Sequence, residues 1–491
     1  MLEERIFSLA GFLRRQHEES LYKRCEDSFL SFLSHLPTLP RLGAGTVHEK
    51  FFSPYLFLAA FILFLGLSDH ALSSIGLAGV ILGCAFFFLG MKATRVTLPR
   101  IRQSLFWPLA IVCLLSSLLL LYDWNTFQKF AIIPYFLLFL TGGYRRELSL
   151  LSIVLWGFIF KMGWWAVSSP FLIISLYFCA KEFPSDFFER NASSILFLLF
   201  VAGTFFFFCD VSLVSLKTGN LPLLSEESRA ALDPTFTMLS HLLPLSCVLA
   251  ASMGKRTGTL LLFAFCTLAM GILGFRTQVV FLFLAVAIAS SAGKIASRVE
   301  TYASLALAGA VGLALTGLRN LVLETRIGIM EAIRLRASLT LDIYDMMAAL
   351  GGMMGYTRGQ VYISAIPGFA RLMPNIAWAP RRMVAEFVGM RGSATSTILG
   401  PVAVDFGLVG IALFMGFLGY LLARLYQLNT RGGIYTMLYG SCLAYALIGI
   451  ETGLVDIEVL ALFFFSFLFI QLSPKRPSNA YSYKKDSSRA V

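Results

Sequence analysis

Long apolar runs constrain this chain more than any other feature. Residues 56–67, 111–121, 195–208 and 279–289 carry scarcely a polar side chain and show none of the alternation of a half-buried sheet. Runs of this length belong in hydrocarbon, where backbone N–H and C=O groups find partners only within a helix or a closed barrel. A helix that crosses the hydrocarbon needs about 20 residues. The spacing predicts spans over 53–68, 71–91, 104–122, 128–142, 148–167, 169–181, 192–215, 234–253, 257–274, 278–293, 300–318, 397–424, 433–450 and 453–472. The expected fold class is therefore all-α: a polytopic membrane protein with about 14 transmembrane helices. Only 14% of residues are charged, against about 25% in soluble domains.

Charge fixes the expected orientation. Lys and Arg concentrate in KATRVTLPRIR, YRRE, KEFPSDFFER, GKR, GKIASR, RLYQLNTR and the C-terminal tail, whereas SDHA, YDWNTFQ, SSP and ETGLVD hold almost none. The positive-inside rule then places both termini in the cytoplasm of a multi-pass protein of the cell's inner membrane. It also keeps 148–167 and 169–181 as two spans. Merging them would turn Lys255, Arg256, Lys294, Arg298, Arg424, Arg431 and the basic tail outward. The net charge of +12 thus marks cytoplasmic loops and membrane lipids, not nucleic acid. Five regions follow: a cytoplasmic or interfacial lead (1–52), a transmembrane bundle of about eleven spans (53–318), a large extracytoplasmic loop (319–396), C-terminal transmembrane helices (397–472) and a basic tail (473–491).

The large loop is the informative part. Between 319 and 395 it carries nine arginines, Arg319, Arg326, Arg334, Arg336, Arg358, Arg371, Arg381, Arg382 and Arg391, and no lysine. Arginine without lysine favours planar, bidentate recognition of anions over simple solubility. The segment MEAIRLRASLTLDIYDMMAAL reads as an amphipathic helix with Ile333, Leu341, Tyr344 and Leu350 on its apolar side. Gly and Pro breaks follow, so the loop is expected to be partly helical and to fold back onto the outer interface. Asp342 and Asp345 form a DxxD pattern that could hold a divalent ion, although such a pattern is more commonly a solvated helix face. No Cys or His lies in the loop, and no HExxH, GxxxxGK[ST] or CxxC stands anywhere in the chain. His241, inside a span, reads as hydrogen-bonded to a neighbouring helix rather than as catalytic. Arg276 stands alone between two apolar runs in GILGFRTQVV, where a charge needs a partner. For each arginine, binding of lipid phosphate at the interface is the competing reading.

Three segments, in order, resemble the Wzy-type oligosaccharide repeat-unit polymerases. They are TGNLPLLSEESR, GFRTQVVFLFLAV and SATSTILGPVAVDFGLVGIALFMGFLGYLL; GYTRGQVYISAIPGF adds a likeness to the Gly and Pro-Gly part of that family's loop. The resemblance runs from about Ser212 to Tyr426, and earlier spans match only in hydropathy. It implies a GT-C-like glycosyltransferase of O-antigen type. Such an enzyme moves a growing glycan from a polyprenyl diphosphate to a sugar hydroxyl of an incoming lipid-linked unit. It implies no cofactor and no nucleotide sugar, and a chain-length regulator protein as a possible partner. A diphosphate leaves readily, so the work is charge neutralisation by preorganised arginines. On that reading Arg229, Arg276, Arg319 and Arg382 are the expected diphosphate contacts. Glu386 and Asp345 are the candidate bases for the acceptor hydroxyl, and Asp405 is an orienting residue that could position an arginine. No metal is expected. Two other readings are an O-antigen ligase, which typically offers a histidine in the large loop, and a lipid-linked oligosaccharide flippase, which predicts a repeat between halves.

Overall fold

The computed structural model describes residues 52–93, 190–223, 227–228, 231–292, 306, 328–357, 359–365, 380–390 and 393–472. The chain divides into two compact units, one of Met1–Val96, Phe160–Ala166 and Phe188–Ser466, the other of Thr97–Ile159, Val167–Phe187 and Phe467–Val491. Everything that follows concerns the first, apart from residues 467–472 at the end of the last helix. Its described residues are helical, without a strand: α1 (Tyr55–Leu67), α2 (Ser74–Lys92), α3 (Ala192–Thr218), α4 (Pro234–Ser240), α5 (Leu242–Ser252), α6 (Arg256–Ile272), α7 (Arg276–Ala292), α8 (Ile329–Gly351), α9 (Gln360–Ala365), α10 (Pro380–Phe387), α11 (Gly400–Leu428), α12 (Gly433–Thr452) and α13 (Ile457–Leu472). Of these, α2, α3, α11 and α12 are long and apolar enough to cross a membrane. The predicted spans 104–122, 128–142, 148–167, 169–181 and 300–318 lie outside the described residues.

The structure refines two of the predicted elements. The span predicted over 234–253 is two helices, α4 and α5, separated at His241. The span predicted to begin at 453 starts as α13 at Ile457. Gly453, with φ of 73°, ends α12 and turns the chain.

Helices α2 and α11 pack backbone to backbone. A Cβ on Gly90 would stand 2.0 Å from the carbonyl oxygen of Gly416, and one on Gly419 would stand 2.2 Å from that of Phe87. Apolar helices in lipid gain nothing from hydrophobic exclusion, so association rests on close van der Waals contact, which small residues permit. Helices α5, α7 and α12 pack against one another beside this pair. Tyr445 of α12 stacks on Phe281 of α7 with ring centroids 4.0 Å apart.

Helix α11 is not continuous. Gly407 adopts φ 64°, ψ −159° and breaks it about two turns from its start. The turn after α8 fills the break. The N–H groups of Tyr356 and Thr357 donate to the Val404 carbonyl, at 2.7 and 3.1 Å, and those of Leu408 and Val409 donate to the carbonyls of Gly352 and Met353, at 3.0 and 3.3 Å. Backbone groups freed within an apolar helix must find such partners. Glycine is required on both sides of this approach. A Cβ on Gly355 would meet the Asp405 carbonyl oxygen at 2.1 Å, and one on Gly407 would meet the Met353 carbonyl carbon at 2.4 Å. The sequence VDFGLVG is thus the place where the loop threads into a transmembrane helix.

Candidate functional site

The loop helices dock on one end of the bundle, and charged side chains fix where. Helix α8 follows its cap residue Gly328, carries Glu331 in its first turn, where the helix dipole favours a negative charge, and is closed by Gly352, whose φ is 53°. Its Tyr344 is buried and donates to the Gly76 carbonyl at 2.8 Å; burial pushes this phenol up from its ordinary pKa. Leu341 also faces inward, whereas Leu350, read in the sequence as part of the same apolar side, is exposed. Ser338 meets Ser68 at 3.2 Å, and Arg334 pairs with Asp69 at 2.7 Å. Arg336 reaches Glu451 in the last turn of α12. Arg381 of α10 pairs with Asp456, between α12 and α13, at 2.5 Å. Three loop arginines thus meet carboxylates on the α1–α2 connection, in the last turn of α12 and on the α12–α13 connection, which defines a loop side of the bundle.

The expected site residues have distinct placements. Asp345 is engaged at the start of α2. It accepts from the Ser73 hydroxyl at 2.7 Å and from the Ser73 N–H at 3.0 Å, while Ser73 itself caps α2 by accepting from the Gly76 N–H. Asp342 and Asp345 flank His70, at 3.8 and 3.5 Å. Among the described residues no group of three or more His, Cys, Asp or Glu side chains is placed to hold a metal ion. Glu386 and Arg382 face each other at 3.4 Å on the exposed side of α10. Asp405 is fully buried. Rather than an arginine, its partners among the described residues are the Thr357 hydroxyl and the backbone N–H groups of Val361 and Tyr362, each at 3.0 Å. Asp405 therefore anchors the start of α9. Arg276 is the first residue of α7. Arg229 and Arg319 lie outside the described residues.

A second constellation, not singled out in the sequence, is built where α5, α7, α12 and α13 converge on the loop side. His241, buried at the break between α4 and α5, has its Nδ1 3.3 Å from Oε1 of Glu458 and 3.4 Å from Nε2 of Gln278. Gln278 accepts from the Tyr445 hydroxyl at 3.0 Å. Phe275 meets the imidazole edge to face, with centroids 5.4 Å apart. Arg276 thus lies in sequence between two residues that touch His241. The break itself is held by Asp210 of α3, which accepts from the Asp233 N–H at 3.0 Å and the Thr237 hydroxyl at 2.6 Å. Asp456, paired to Arg381, stands two residues before Glu458. Burial pushes the Asp456 carboxyl up from its ordinary pKa, and the Arg381 guanidinium opposes that shift. The signal for this cluster was available as isolated polar residues in apolar helices: His241, Gln278 and Glu458 each interrupt one. Such residues are costly in a membrane unless they pair or serve a function.

Described residues that are helical throughout, several apolar helices and arginine-bearing loop helices docked on one side define a polytopic membrane protein. The chain belongs to the family described as "Putative O-antigen polymerase", whose model matches residues 50–464. It is also similar to an uncharacterized protein of Methanocaldococcus jannaschii, 33% identical over 255 residues that make up 51% of this chain and 69% of the relative. No solved structure matches. Family membership implies a glycan-polymerising glycosyltransferase.

Proposed function

We propose that the protein polymerises lipid-linked oligosaccharide repeat units at the extracytoplasmic face of the cytoplasmic membrane. The growing glycan passes from a polyprenyl diphosphate carrier to a sugar hydroxyl of the incoming unit, without metal or nucleotide. The observation that carries this reading is the position of Arg276. It opens α7 on the loop side, beside residues that reach His241. A helix N-terminus presents N–H groups and positive dipole to an anion, and a guanidinium there adds bidentate donors for a diphosphate. Arg382, exposed on α10, supplies a further cation, and Arg229 and Arg319 complete the set expected from the sequence.

Charge grows on the diphosphate oxygens as the glycosidic bond breaks, and fixed donors stabilise it without reorganising. The acceptor hydroxyl must lose a proton, for which Glu386 and Asp345 are the loop candidates. Glu386 is the more accessible of the two, since Asp345 is occupied at Ser73. The test is purified protein incubated with its lipid-linked repeat unit in the presence of a chelator and without nucleotide. Polymer on the carrier supports the reading. Unchanged single units, or label moved across a vesicle membrane without covalent change, overturn it.

A further inference from the structure

We infer that His241 is the proton acceptor of the transfer reaction, held in its reactive tautomer by Glu458. This rests on the polymerase reading above and names a base different from the two loop carboxylates.

The argument starts from hydrogen-bond bookkeeping. A buried imidazole should satisfy both nitrogens. Nδ1 of His241 faces Glu458 at 3.3 Å, and Nε2 is buried with no hydrogen-bond partner among the described residues. A carboxylate can only accept, so Nδ1 carries the proton and Nε2 keeps its lone pair. Gln278 does not fix the tautomer: its carbonyl oxygen accepts from the Tyr445 hydroxyl, and its amide, which can only donate, makes no hydrogen bond to a protonated Nδ1 at 3.4 Å, so the assignment rests on the nearer Glu458 carboxylate. The outcome is an imidazole fixed by a carboxylate on one nitrogen, with a bare lone pair on the other, the arrangement a general base needs. Four helices maintain it.

Position supports the same role. Phe275 and Gln278, which hold the ring, flank Arg276, so the proposed proton acceptor and the proposed diphosphate contact are set by one helix start. The other charged groups around the ring are Asp210 on α3, Asp456 before α13, and Arg381, which pairs with Asp456. In the reaction, Nε2 takes the proton of the acceptor hydroxyl as its oxygen bonds to the anomeric carbon of the donor glycan. The bond from that carbon to the diphosphate breaks, and its electron pair leaves with the polyprenyl diphosphate. The imidazolium then returns its proton to water. Glu458 touches no substrate and is a positioning residue.

The test uses full-length protein in detergent or nanodiscs with lipid-linked repeat unit, measuring kcat and KM from pH 5 to 9. His241→Gln should lower kcat by roughly 100- to 10,000-fold, the usual share of a general base, with KM little changed and the acid limb of the wild-type profile lost. Glu458→Gln should keep partial activity and move the acid limb to lower pH, because a neutral amide favours a positive ring less than a carboxylate does. If His241→Gln fails to fold, the Glu458→Gln profile decides alone: a shifted limb supports the inference and an unmoved limb overturns it. Near wild-type kcat in folded His241→Gln also overturns it, and loss of kcat in Glu386→Gln alongside would place the base in the loop. Should the wild-type protein make no polymer at all, the polymerase reading fails instead, which is a separate result.

Discussion

Asp405 accepts the backbone N–H of Val361 at 3.0 Å and thereby ties the first turn of α9 to the broken part of α11. The same carboxylate takes the N–H of Tyr362 and the hydroxyl of Thr357. Removing it leaves buried donors without partners, and each unsatisfied group costs about 1–3 kcal/mol. Asp405→Ala should therefore destabilise the protein by about 2–4 kcal/mol. Asp405→Asn retains one accepting oxygen and should cost less. Thermal unfolding in detergent ranks the three proteins; an Asp405→Ala variant as stable as the wild type would show that α9 does not depend on this anchor.

The contact also marks the limit of reading such a chain without its structure. The apolar runs announce helices directly, because a helix in lipid depends on its own composition, and α2, α3, α11 and α12 follow them closely. The partner of Asp405 was not, since it lies 44 residues upstream and is backbone, which carries no sequence signature. Asp345 could be taken as a candidate base because nothing local reveals Ser73 at the start of α2. His241 and Glu458 sit in different apolar runs, at the start of α5 and of α13, and only tertiary packing brings their polar atoms within 3.3 Å. Helix breaks at His241 and Gly407 were hidden for another reason. Apolar composition continues through both, and the break is stabilised by tertiary partners instead of local residues.

The α2–α11 contact gives a prediction with an internal control. Gly419→Ala places a methyl group against the Phe87 carbonyl, and Gly90→Ala does the same at Gly416. Backbone cannot yield as a flexible side chain would, so each should cost about 1–3 kcal/mol by overpacking. Gly416→Ala lies in the same seam, but its added methyl meets nothing nearer than 3.6 Å. It should be neutral within about 0.5 kcal/mol, the range of an uneventful substitution. Equal losses for Gly416→Ala and Gly419→Ala would argue against backbone contact as the cause.

The Arg381–Asp456 pair predicts a pH dependence. Burial raises the Asp456 carboxyl above its unfolded value, so the folded state binds more protons there. Stability from this group is therefore greatest at low pH and falls as pH rises from the unfolded pKa through the folded one. Arg381 opposes that loss by stabilising the carboxylate. Arg381→Ala should match the wild type near pH 4 and become the less stable protein above it. Both side chains keep about a third of their exposure (31% and 35%), so solvent screening holds the difference to about 1 kcal/mol or less. Unfolding temperatures at pH 4.5 and 7.5 provide the comparison, and a gap that narrows as pH rises would contradict the assignment.

Arg276 carries the sharpest functional prediction. Its place at the start of α7 puts a guanidinium and helix N–H groups on the loop side, where a departing diphosphate would develop charge. Removing one preorganised donor from such a site costs roughly 100- to 1,000-fold in rate. Arg276→Ala should stop chain extension in cells while the protein still reaches the membrane at wild-type abundance. Arg276→Lys keeps the charge but loses the planar fork that engages two oxygens at once, so it should restore only a small part of the activity. Full rescue by lysine would mean that charge alone suffices and that bidentate contact with a diphosphate is not the role of this residue. The length distribution of the glycan separates these results: single repeat units for alanine, short chains for lysine, and the wild-type ladder only where the fork is present.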